Sequence, residues 1–343
     1  MATTETNLNM SPYENHAAIM DSTERALAYD GGDVRSWQQR LQPKLIELLG
    51  DTPKQKADLN ARSLWSRKNE LGSIEKIVFT SEPRSDVPAY VCIPKDFKKP
   101  HTWLISVQGH STGMHNSIGV ELEDEKTAKE IEGDRDFAVH SMKRGVAALC
   151  IEQRAFGYRS EQVLSKNTGC HDASMHALMI GRTLIGERVY DVDRAIDYLL
   201  TREDVDPARI GIMGNSGGGT ITMFASATLP RLSFAMPSCY FCTFRDSILA
   251  VYHCMCNYVP GLYKVAEMAD IMGLFAPKPV IIVAGKTDSI FPIEATKKAY
   301  KELQNIYDAA GASDRCHLVV GAEGHRFYAD DAWPVLEDEL EKL

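Results

Sequence analysis

Short apolar segments typical of buried strands alternate with helical segments through most of this sequence. Parallel strands need long crossover connections, and a helix is the usual one. The alternation therefore predicts an α/β fold with a mostly parallel central sheet and helices on both faces. The predicted strands cover residues 74–80, 89–93, 103–107, 146–151, 210–213, 234–236, 280–283 and 317–320. The first two flank a polar turn, so we expect them to pair antiparallel.

The N-terminal part of the chain has a different pattern. Residues 13–29 and 34–49 can each form an amphipathic helix, Gly50 is a good stop, and residues 51–69 have little pattern. We therefore expect a helical extension over residues 1–69 and an α/β domain over residues 70–343, with an insertion near 239–275. The other predicted helices cover residues 136–143, 186–201, 217–227, 295–307 and 332–343.

The pentapeptide Gly-Asn-Ser-Gly-Gly at positions 214–218 stands directly between a predicted strand and a predicted helix. This is the context of a nucleophile elbow, a sharp turn that exposes a reactive serine. Small neighbours let the chain fold back at Ser216 without side-chain collisions. The following helix directs its first amides toward the site, where they stabilise negative charge. The motif predicts that Ser216 is a nucleophile, and a glycine-rich turn with an incidental serine is the alternative.

A serine hydroxyl is a poor nucleophile at neutral pH and needs a base, which an acid must orient. Asp288 and His325 each follow a predicted strand, in the chain order Ser, Asp, His that accompanies this turn motif. We predict that His325 is the general base and Asp288 the orienting acid. Each loop alone also fits a solvated turn. Glu323 is an alternative acid, but two residues from His325 it is badly placed.

Acyl transfer also needs hydrogen-bond donors for the oxyanion of the tetrahedral intermediate. The backbone N–H of Gly217, next to the nucleophile, is expected to be one of them. The second is expected in the loop at residues 108–113, from the backbone N–H of His110, with Ser111 as the alternative.

Charge and composition exclude several partners. The 343 residues include 38 Lys and Arg against 47 Asp and Glu, a net charge of −9 that gives no support to nucleic-acid binding. No apolar run approaches the ~20 residues that cross a bilayer. Residues 1–10 lack the basic start and apolar run of a secretory signal, and eight scattered cysteines suit a reducing compartment. We expect a cytoplasmic protein without nucleic-acid or membrane partners, and possibly homo-oligomeric.

Two cysteine-rich stretches, Cys-Tyr-Phe-Cys at 239–242 and His-Cys-Met-Cys at 253–256, raise the question of a structural zinc site. Cys-x-Cys is poor spacing for a zinc knuckle, and the segment is rich in aromatic and apolar residues. We therefore expect no metal, and thiols that are buried or line a pocket.

Other polar and aromatic residues receive no chemical role. Asp191 and Asp193 lie within a predicted helix and are expected to be surface charges. Packing or surface positions are expected for His171, His176 and His253, and packing for Trp65 and Trp103. Four aromatic residues are candidates for an acyl or sugar pocket, with ordinary core as the alternative: Tyr158, Tyr240, Phe241 and Phe291.

Over roughly residues 74–343 these motifs resemble the α/β-hydrolase superfamily. Within it the chain is similar to the acetyl xylan esterase and cephalosporin deacetylase group and its dienelactone-hydrolase-like relatives. Gln-Gly-His at 108–110 stands where that group carries His-Gly-Tyr, and Glu-Gln-Arg-Ala-Phe-Gly at 152–157 stands where it carries an Asp-x-Arg-Gly-x-Gly loop. The glycine-rich turn at 214–219 completes the match. His110 replaces a tyrosine whose backbone serves the oxyanion hole, so only the role of the amide carries over.

The resemblance implies the α/β-hydrolase fold, ester hydrolysis and the triad roles given above. Ser216 argues against relatives whose nucleophile is cysteine or aspartate. We expect a serine carboxylic-ester hydrolase that needs no cofactor and removes short acyl groups, such as acetyl, from a carbohydrate or small-molecule ester. An amidase or peptidase with the same triad is one alternative, and a non-catalytic hydrolase-fold binding protein is a weaker one.

Overall fold

The computed structural model describes residues 8–97, 101–161 and 169–343. The polar segment 1–10, where no secretory signal is expected, lies mostly outside these residues. No helix in the described ranges is both long and apolar enough to cross a membrane.

One nine-stranded sheet runs through the described residues, in the order β1-β2-β3-β5-β4-β6-β7-β8-β9. The pairs among β1, β2 and β3 and the pair of β3 with β5 are antiparallel, and the others are parallel. The strands are β1 (Arg62–Asn69), β2 (Gly72–Glu82), β3 (Ser85–Pro94), β4 (Trp103–Val107), β5 (Ala147–Ile151), β6 (Ile210–Asn215), β7 (Phe234–Ser238), β8 (Val280–Gly285) and β9 (Cys316–Gly321).

Helices cover both faces of the sheet, as predicted. Because alternate residues of a strand point to opposite faces, Ile105 and Ile212 pack in one hydrophobic cluster with α2, α5, α6 and α8. Leu104 and Met213 pack in a second cluster with α9 on the other face. The helices are α1 (Pro12–Asp21), α2 (Val34–Leu49), α3 (Phe137–Lys143), α4 (His171–Met179), α5 (Leu184–Leu199), α6 (Gly217–Thr228), α7 (Met268–Gly273), α8 (Ile293–Ala309) and α9 (Ala329–Glu341).

Helix α2 attaches the N-terminal segment to the sheet. It begins at Asp33, whose Oδ2 accepts the N–H of Ser36 at 2.8 Å. It ends at Gly50, whose φ of 92° suits glycine and where a Cβ would lie 2.6 Å from the oxygen of Gly181. Its apolar stripe is buried in the same cluster as the sheet: Trp37, Leu41, Leu45 and Leu49. Helix α2 therefore shares the core of the sheet, and the division of the chain at residue 70 stays a prediction.

Several elements differ from the sequence-based expectation, among them one strand and two helices. Strand β1 lies in a segment where no strand was predicted. Its residues are mostly polar and exposed at the edge of the sheet, so the sequence shows no apolar strand pattern there. Helix α1 stops at Asp21, where the prediction ran to residue 29. Helix α4 was not predicted, and only Ser174 and Ala177 of its residues are buried, so its sequence lacks a clear apolar stripe.

Candidate active site

The parallel strands bring the predicted site residues to one edge of the sheet. The carboxyl ends of parallel strands meet at the same edge, and ligands bind there in open α/β sheets. The strand order reverses at β4, which lies between β5 and β6. Ser216, Asp288 and His325 follow β6, β8 and β9, and His110 follows β4. The topology therefore directs all four residues to the edge where such sheets bind ligands.

Ser216 occupies a strained turn between β6 and α6. Its φ of 57° and ψ of −118° are rare for a residue with a side chain, and such strain persists only where the surroundings enforce it. Its N–H donates to the Ser238 carbonyl on β7 at 2.9 Å. A Cβ at Gly218 would lie 2.0 Å from the Val107 oxygen, and one at Gly214 would lie 2.5 Å from it. Only glycine fits these two positions, and the tight turn thus depends on both.

Asp288 and His325 are in direct contact. His325 Nδ1 lies 2.8 Å from Asp288 Oδ2. The Asp288 side chain is fully buried, and its Oδ1 accepts the N–H groups of Ile290 at 2.8 Å and Phe291 at 3.1 Å. Burial raises the pKa of Asp288, but the hydrogen bond from His325, its charge and the two amides together hold the pKa below the ordinary value. This carboxylate therefore stays ionised at neutral pH and can orient the imidazole.

The other ring nitrogen of His325 is available for proton transfer. Nε2 is buried and has no hydrogen-bond partner among the described residues. The ring stacks against Phe291, with centroids 5.7 Å apart and planes 19° apart. No hydrogen bond between Ser216 and His325 forms in the described residues, and catalytic hydrogen bonds often tighten only when substrate binds. The contact of serine with histidine stays a prediction.

The loop after β4 lies against the turn at Ser216. A Cβ at Gly109 would be 3.1 Å from the Cβ of Ser216, and one at Gly217 would be 2.9 Å from His110 Nδ1. The backbone N–H groups of Gly217 and His110, the two predicted oxyanion donors, have no hydrogen-bond acceptor in the part of the chain that the structure describes. Their role as oxyanion donors stays a prediction.

Two neighbouring groups are unsuited to catalysis. The Cys239 thiol donates to the Arg326 carbonyl at 3.1 Å, and burial together with the charge of Asp288 raises its pKa to about 12. It therefore stays protonated and is no nucleophile at neutral pH. Glu323, the alternative acid, pairs with Arg326 at 2.8 Å and its side chain is 66% exposed. No hydrogen bond joins it to His325 in the described residues.

The prediction that Asp191 is a surface charge is wrong. Its side chain is 1% exposed and lies between two guanidinium groups. It accepts two hydrogen bonds of 2.9 Å from Arg154 and one of 2.7 Å from Arg159. Burial opposes its charge, but the two arginines lower its pKa to about 2. Helix α5 is buried over most of its circumference, so this acidic residue needed partners. Asp193 is partly exposed and pairs with Lys56 at 2.6 Å.

His253 is a site residue that sequence reasoning assigned to packing or the surface. Its ring lies 5.7 Å from Phe291, the same ring that stacks on His325. Its Nε2 is buried and without a partner among the described residues, and burial, followed by the electrostatic effect of the nearby His110 and His325, lowers its pKa. No sequence signal could place it here, because the path of the insertion is not readable from local pattern.

Two clefts adjoin the site. One of about 500 Å³ is lined by residues 130–135, Glu323, His325 and Arg326. The other, of about 560 Å³, is lined by the loop after β4, residues 121–123, Lys129 and residues 155–157, among others. Of the four aromatic pocket candidates, Tyr158 is 44% exposed. The other three are buried in the core: Tyr240, Phe241 and Phe291. Charged and hydroxyl-bearing walls suit a polar substrate better than a long acyl chain.

Known proteins share this architecture. The structure of a protein from Bacteroides fragilis NCTC 9343 that is named as an acetyl xylan esterase superposes with a TM-score of 0.76, at 18% identity, covering 97% of this chain and 86% of that one. The chain has the α/β-hydrolase fold. A glucuronoyl esterase from Solibacter usitatus superposes on this fold with a TM-score of 0.66, at 15% identity, covering 93% and 97% of the two chains.

Sequence comparisons agree with this α/β-hydrolase fold. Residues 177–340, which include Ser216, Asp288 and His325, match the Prolyl oligopeptidase family. A Bacillus subtilis (strain 168) protein named as a hydrolase, YtaP, is 28% identical over 290 residues, which are 82% of this chain and 92% of YtaP. The α/β-hydrolase fold that the motifs imply is therefore confirmed.

Proposed function

We propose that this chain is a serine carboxylic-ester hydrolase that removes short acyl groups, such as acetyl, from a carbohydrate or small-molecule ester. The observation that carries the proposal is the contact of His325 with the buried Asp288. The two residues follow β9 and β8, at the same edge of the sheet as the strained turn at Ser216. An ionised, buried carboxylate that fixes one imidazole nitrogen leaves the other free to accept a proton.

In this mechanism the Ser216 hydroxyl oxygen attacks the ester carbonyl carbon while His325 Nε2 takes the hydroxyl proton. The N–H groups of Gly217 and His110 stabilise the oxyanion. The tetrahedral intermediate collapses, the C–O bond to the alcohol breaks, and His325 protonates the departing alcohol. Water then attacks the acyl-enzyme with His325 again as base, releasing a carboxylic acid and regenerating Ser216. No step requires a cofactor.

The proposed substrate class rests on the clefts and on the named relatives. The clefts beside His325 and His110 have charged and polar walls, which suit a hydroxyl-rich substrate. Structural neighbours are named as acetyl xylan and glucuronoyl esterases. We therefore place an acylated sugar first among substrates. We also propose a cytoplasmic location, in line with the eight cysteines, and no nucleic-acid partner for this acidic chain.

A second candidate activity has one specific observation in its favour. The match to the Prolyl oligopeptidase family covers the whole predicted triad. The same groups can cleave an amide if the leaving nitrogen is protonated by His325. Ester and amide substrates with one acyl group therefore need to be compared directly.

The test is a kinetic comparison of the parent protein with Ser216→Ala. We expect the parent to hydrolyse p-nitrophenyl acetate and acetylated xylo-oligosaccharides much faster than the matched p-nitroanilide, and S216A to lose about 10⁴-fold or more in kcat. Ser226→Ala is the matched control, because Ser226 is a buried serine of the same helix whose hydroxyl bonds the Thr222 carbonyl at 2.6 Å. Parent-like rates in S216A would refute the nucleophile, and equal turnover of the anilide would favour the amidase.

A further inference from the structure

A cluster of three cysteines and one histidine lies beside the proposed site. His110 comes from the loop after β4, Cys170 precedes α4, and Cys254 and Cys256 come from the insertion between β7 and β8. One ligand atom from each residue can be chosen so that all four lie within 4.8 Å of one another. His110 Nε2 is 3.0 Å from Cys256 Sγ, and the sulfur atoms of Cys170 and Cys254 are 2.6 Å apart, longer than the ~2.05 Å of a disulfide bond.

This donor set matches the chemistry of zinc. Structural Zn²⁺ is held by four protein ligands in a tetrahedron, and Cys₃His is one of its usual sets. With Zn–S and Zn–N bonds of about 2.3 and 2.0 Å, neighbouring ligand atoms lie about 3.4–3.8 Å apart. The four atoms lie within 4.8 Å of one another, which is close to this spacing. We propose that His110, Cys170, Cys254 and Cys256 bind one zinc ion in a closed structural site.

The negative charge of such a centre would lie beside a buried arginine, Arg188. Binding converts three thiols to thiolates and releases their protons, so Zn²⁺ with three thiolates and a neutral imidazole carries one negative charge. The Arg188 side chain is 2% exposed and close enough to Cys170 and Cys256 to act on both electrostatically. Its guanidinium donates only to the Arg154 carbonyl, at 2.9 and 2.8 Å, and pairs with no carboxylate of the described residues. A buried cation without an anion is costly, and an anionic zinc centre would balance it.

Apolar residues cover one side of the cluster, and hydrogen bonds fix its backbone. Ala155, Phe156 and Leu184 pack around the cysteines. The Cys254 carbonyl accepts the N–H of Asn257 at 3.0 Å, and the Cys170 carbonyl accepts both the N–H and the hydroxyl of Ser174. This apolar packing limits water access from that side of the cluster, while His110 and Cys170 line the cleft on the other.

The place of His110 gives the zinc a role in the proposed reaction. His110 carries a proposed oxyanion donor on its backbone and a proposed zinc ligand on its side chain. The ring also meets Phe156, with centroids 4.8 Å apart. Zinc would thus tie the loop after β4 to the insertion and hold the His110 amide in position. This positioning role rests on the proposed function, whereas the metal site does not.

The sequence predicted no metal because Cys-x-Cys at 254–256 is poor spacing for a zinc knuckle and the segment is rich in aromatic and apolar residues. The fold supplies the two missing ligands from positions 84 and 146 residues away, as the contacts of Cys254 with Cys170 and of Cys256 with His110 show. Cys239, Cys242 and His253, which also belong to the cysteine-rich stretches, are not in the cluster.

The test is the metal content of untagged protein purified under reducing conditions, measured by mass spectrometry. We expect about one zinc per chain, and at least a tenfold loss of zinc retention against a chelator in C254S and C256S. Cys242→Ser is the matched control, since Cys242 lies in the same insertion but outside the cluster. Cobalt added to metal-stripped protein should give a thiolate-to-cobalt charge-transfer band, which C256S lacks.

Two results would overturn the site even if the variants fold poorly. One is that the parent protein binds no zinc after incubation with zinc, and that all four side chains react with modifying reagents equally fast with and without the metal. The other is a Cys170–Cys254 disulfide found by peptide mapping under non-reducing conditions. For the positioning role, C256S should lose kcat with little change in KM, and rescue by added zinc should be absent. Metal content is measured without substrate, so failure of the esterase proposal leaves this result interpretable.

Discussion

At the scale of single residues, Glu152 shows how burial and hydrogen bonds oppose each other. Its side chain accepts the N–H of Met114 at 3.0 Å and the N–H of Tyr158 at 3.1 Å. Burial nevertheless dominates, and it raises the pKa of Glu152 to about 7 from an ordinary value of 4.5. Between these two values the folded state binds more protons at Glu152 than the unfolded state does. The free energy of unfolding therefore falls as pH rises through this window.

Glu152→Gln should remove this part of the pH dependence. We expect the parent to lose on the order of 3 kcal/mol of unfolding free energy between pH 4.5 and 7 relative to E152Q. At low pH the two proteins should be close in stability, because neutral glutamic acid and glutamine have similar shapes. Urea unfolding at several pH values measures the difference, and parallel curves for the two proteins would contradict the raised pKa.

A second residue-scale prediction concerns the acid of the triad. Asp288→Asn keeps the size of the side chain but removes the charge that fixes the imidazole, so kcat for an ester should fall by about 10⁴-fold. Glu323→Gln is the matched control, because Glu323 is exposed and pairs with Arg326. Circular dichroism would verify that both variants fold. Loss of activity in E323Q but not in D288N would assign the acid to Glu323.

At the scale of elements, the loop after β5 is fastened to α5 by ion pairs. Arg154 contacts Asp191 and also Glu82 on β2, at 2.6 Å, and Arg159 contacts Asp191. The network joins strand, loop and helix beneath the site. Because the Asp191 side chain is 1% exposed, removing it leaves two guanidinium groups without their buried partner.

Asp191→Ala should therefore lower the free energy of unfolding by about 3–5 kcal/mol. The control is Glu294→Ala, which breaks the exposed pair of Glu294 with Lys297 and should cost less than about 1 kcal/mol. Urea titration of both variants gives the comparison. Similar losses in the two variants would show that the buried network adds no stability.

Elements with strong local signals could be predicted from the sequence, and weak ones could not. Strand β4 and helix α2 have the predicted bounds. A short apolar run indicates a buried strand, and an amphipathic stretch with residues suited to cap its ends indicates a helix. Strand β1 could not be predicted, since its polar residues are ordered by pairing with β2 and not by their own pattern. The contact of His325 with Asp288 followed from chain order and strand ends. The contact of His253 with Phe291 and the contact of Cys170 with Cys254 depend on long-range packing, which no local sequence pattern indicates.

At the scale of the whole molecule, helix α2 of the N-terminal segment and the sheet form one hydrophobic core. Leu45 of α2 is fully buried in the cluster that also contains Ile105 of β4. The neighbouring Ile46 is 49% exposed. The two positions are adjacent in one helix but differ in burial, which allows a matched comparison.

Leu45→Ala should destabilise the whole chain by about 2–5 kcal/mol in a single transition, because a cavity opens in the shared core. Ile46→Ala should change the unfolding free energy by less than about 1 kcal/mol. Calorimetry would reveal the number of transitions. A separate early transition in L45A would mean that the N-terminal helices unfold independently of the sheet.

The central claim is that Ser216 is a nucleophile activated by His325. The most direct measurement is peptide mapping by mass spectrometry after reaction with a fluorophosphonate, which traps serines activated for acyl transfer. The account predicts one adduct per chain, on the peptide that contains Ser216, with no adduct in S216A and much slower labelling in His325→Ala. Full ester hydrolysis together with an unlabelled Ser216, or an adduct on another residue, would contradict it.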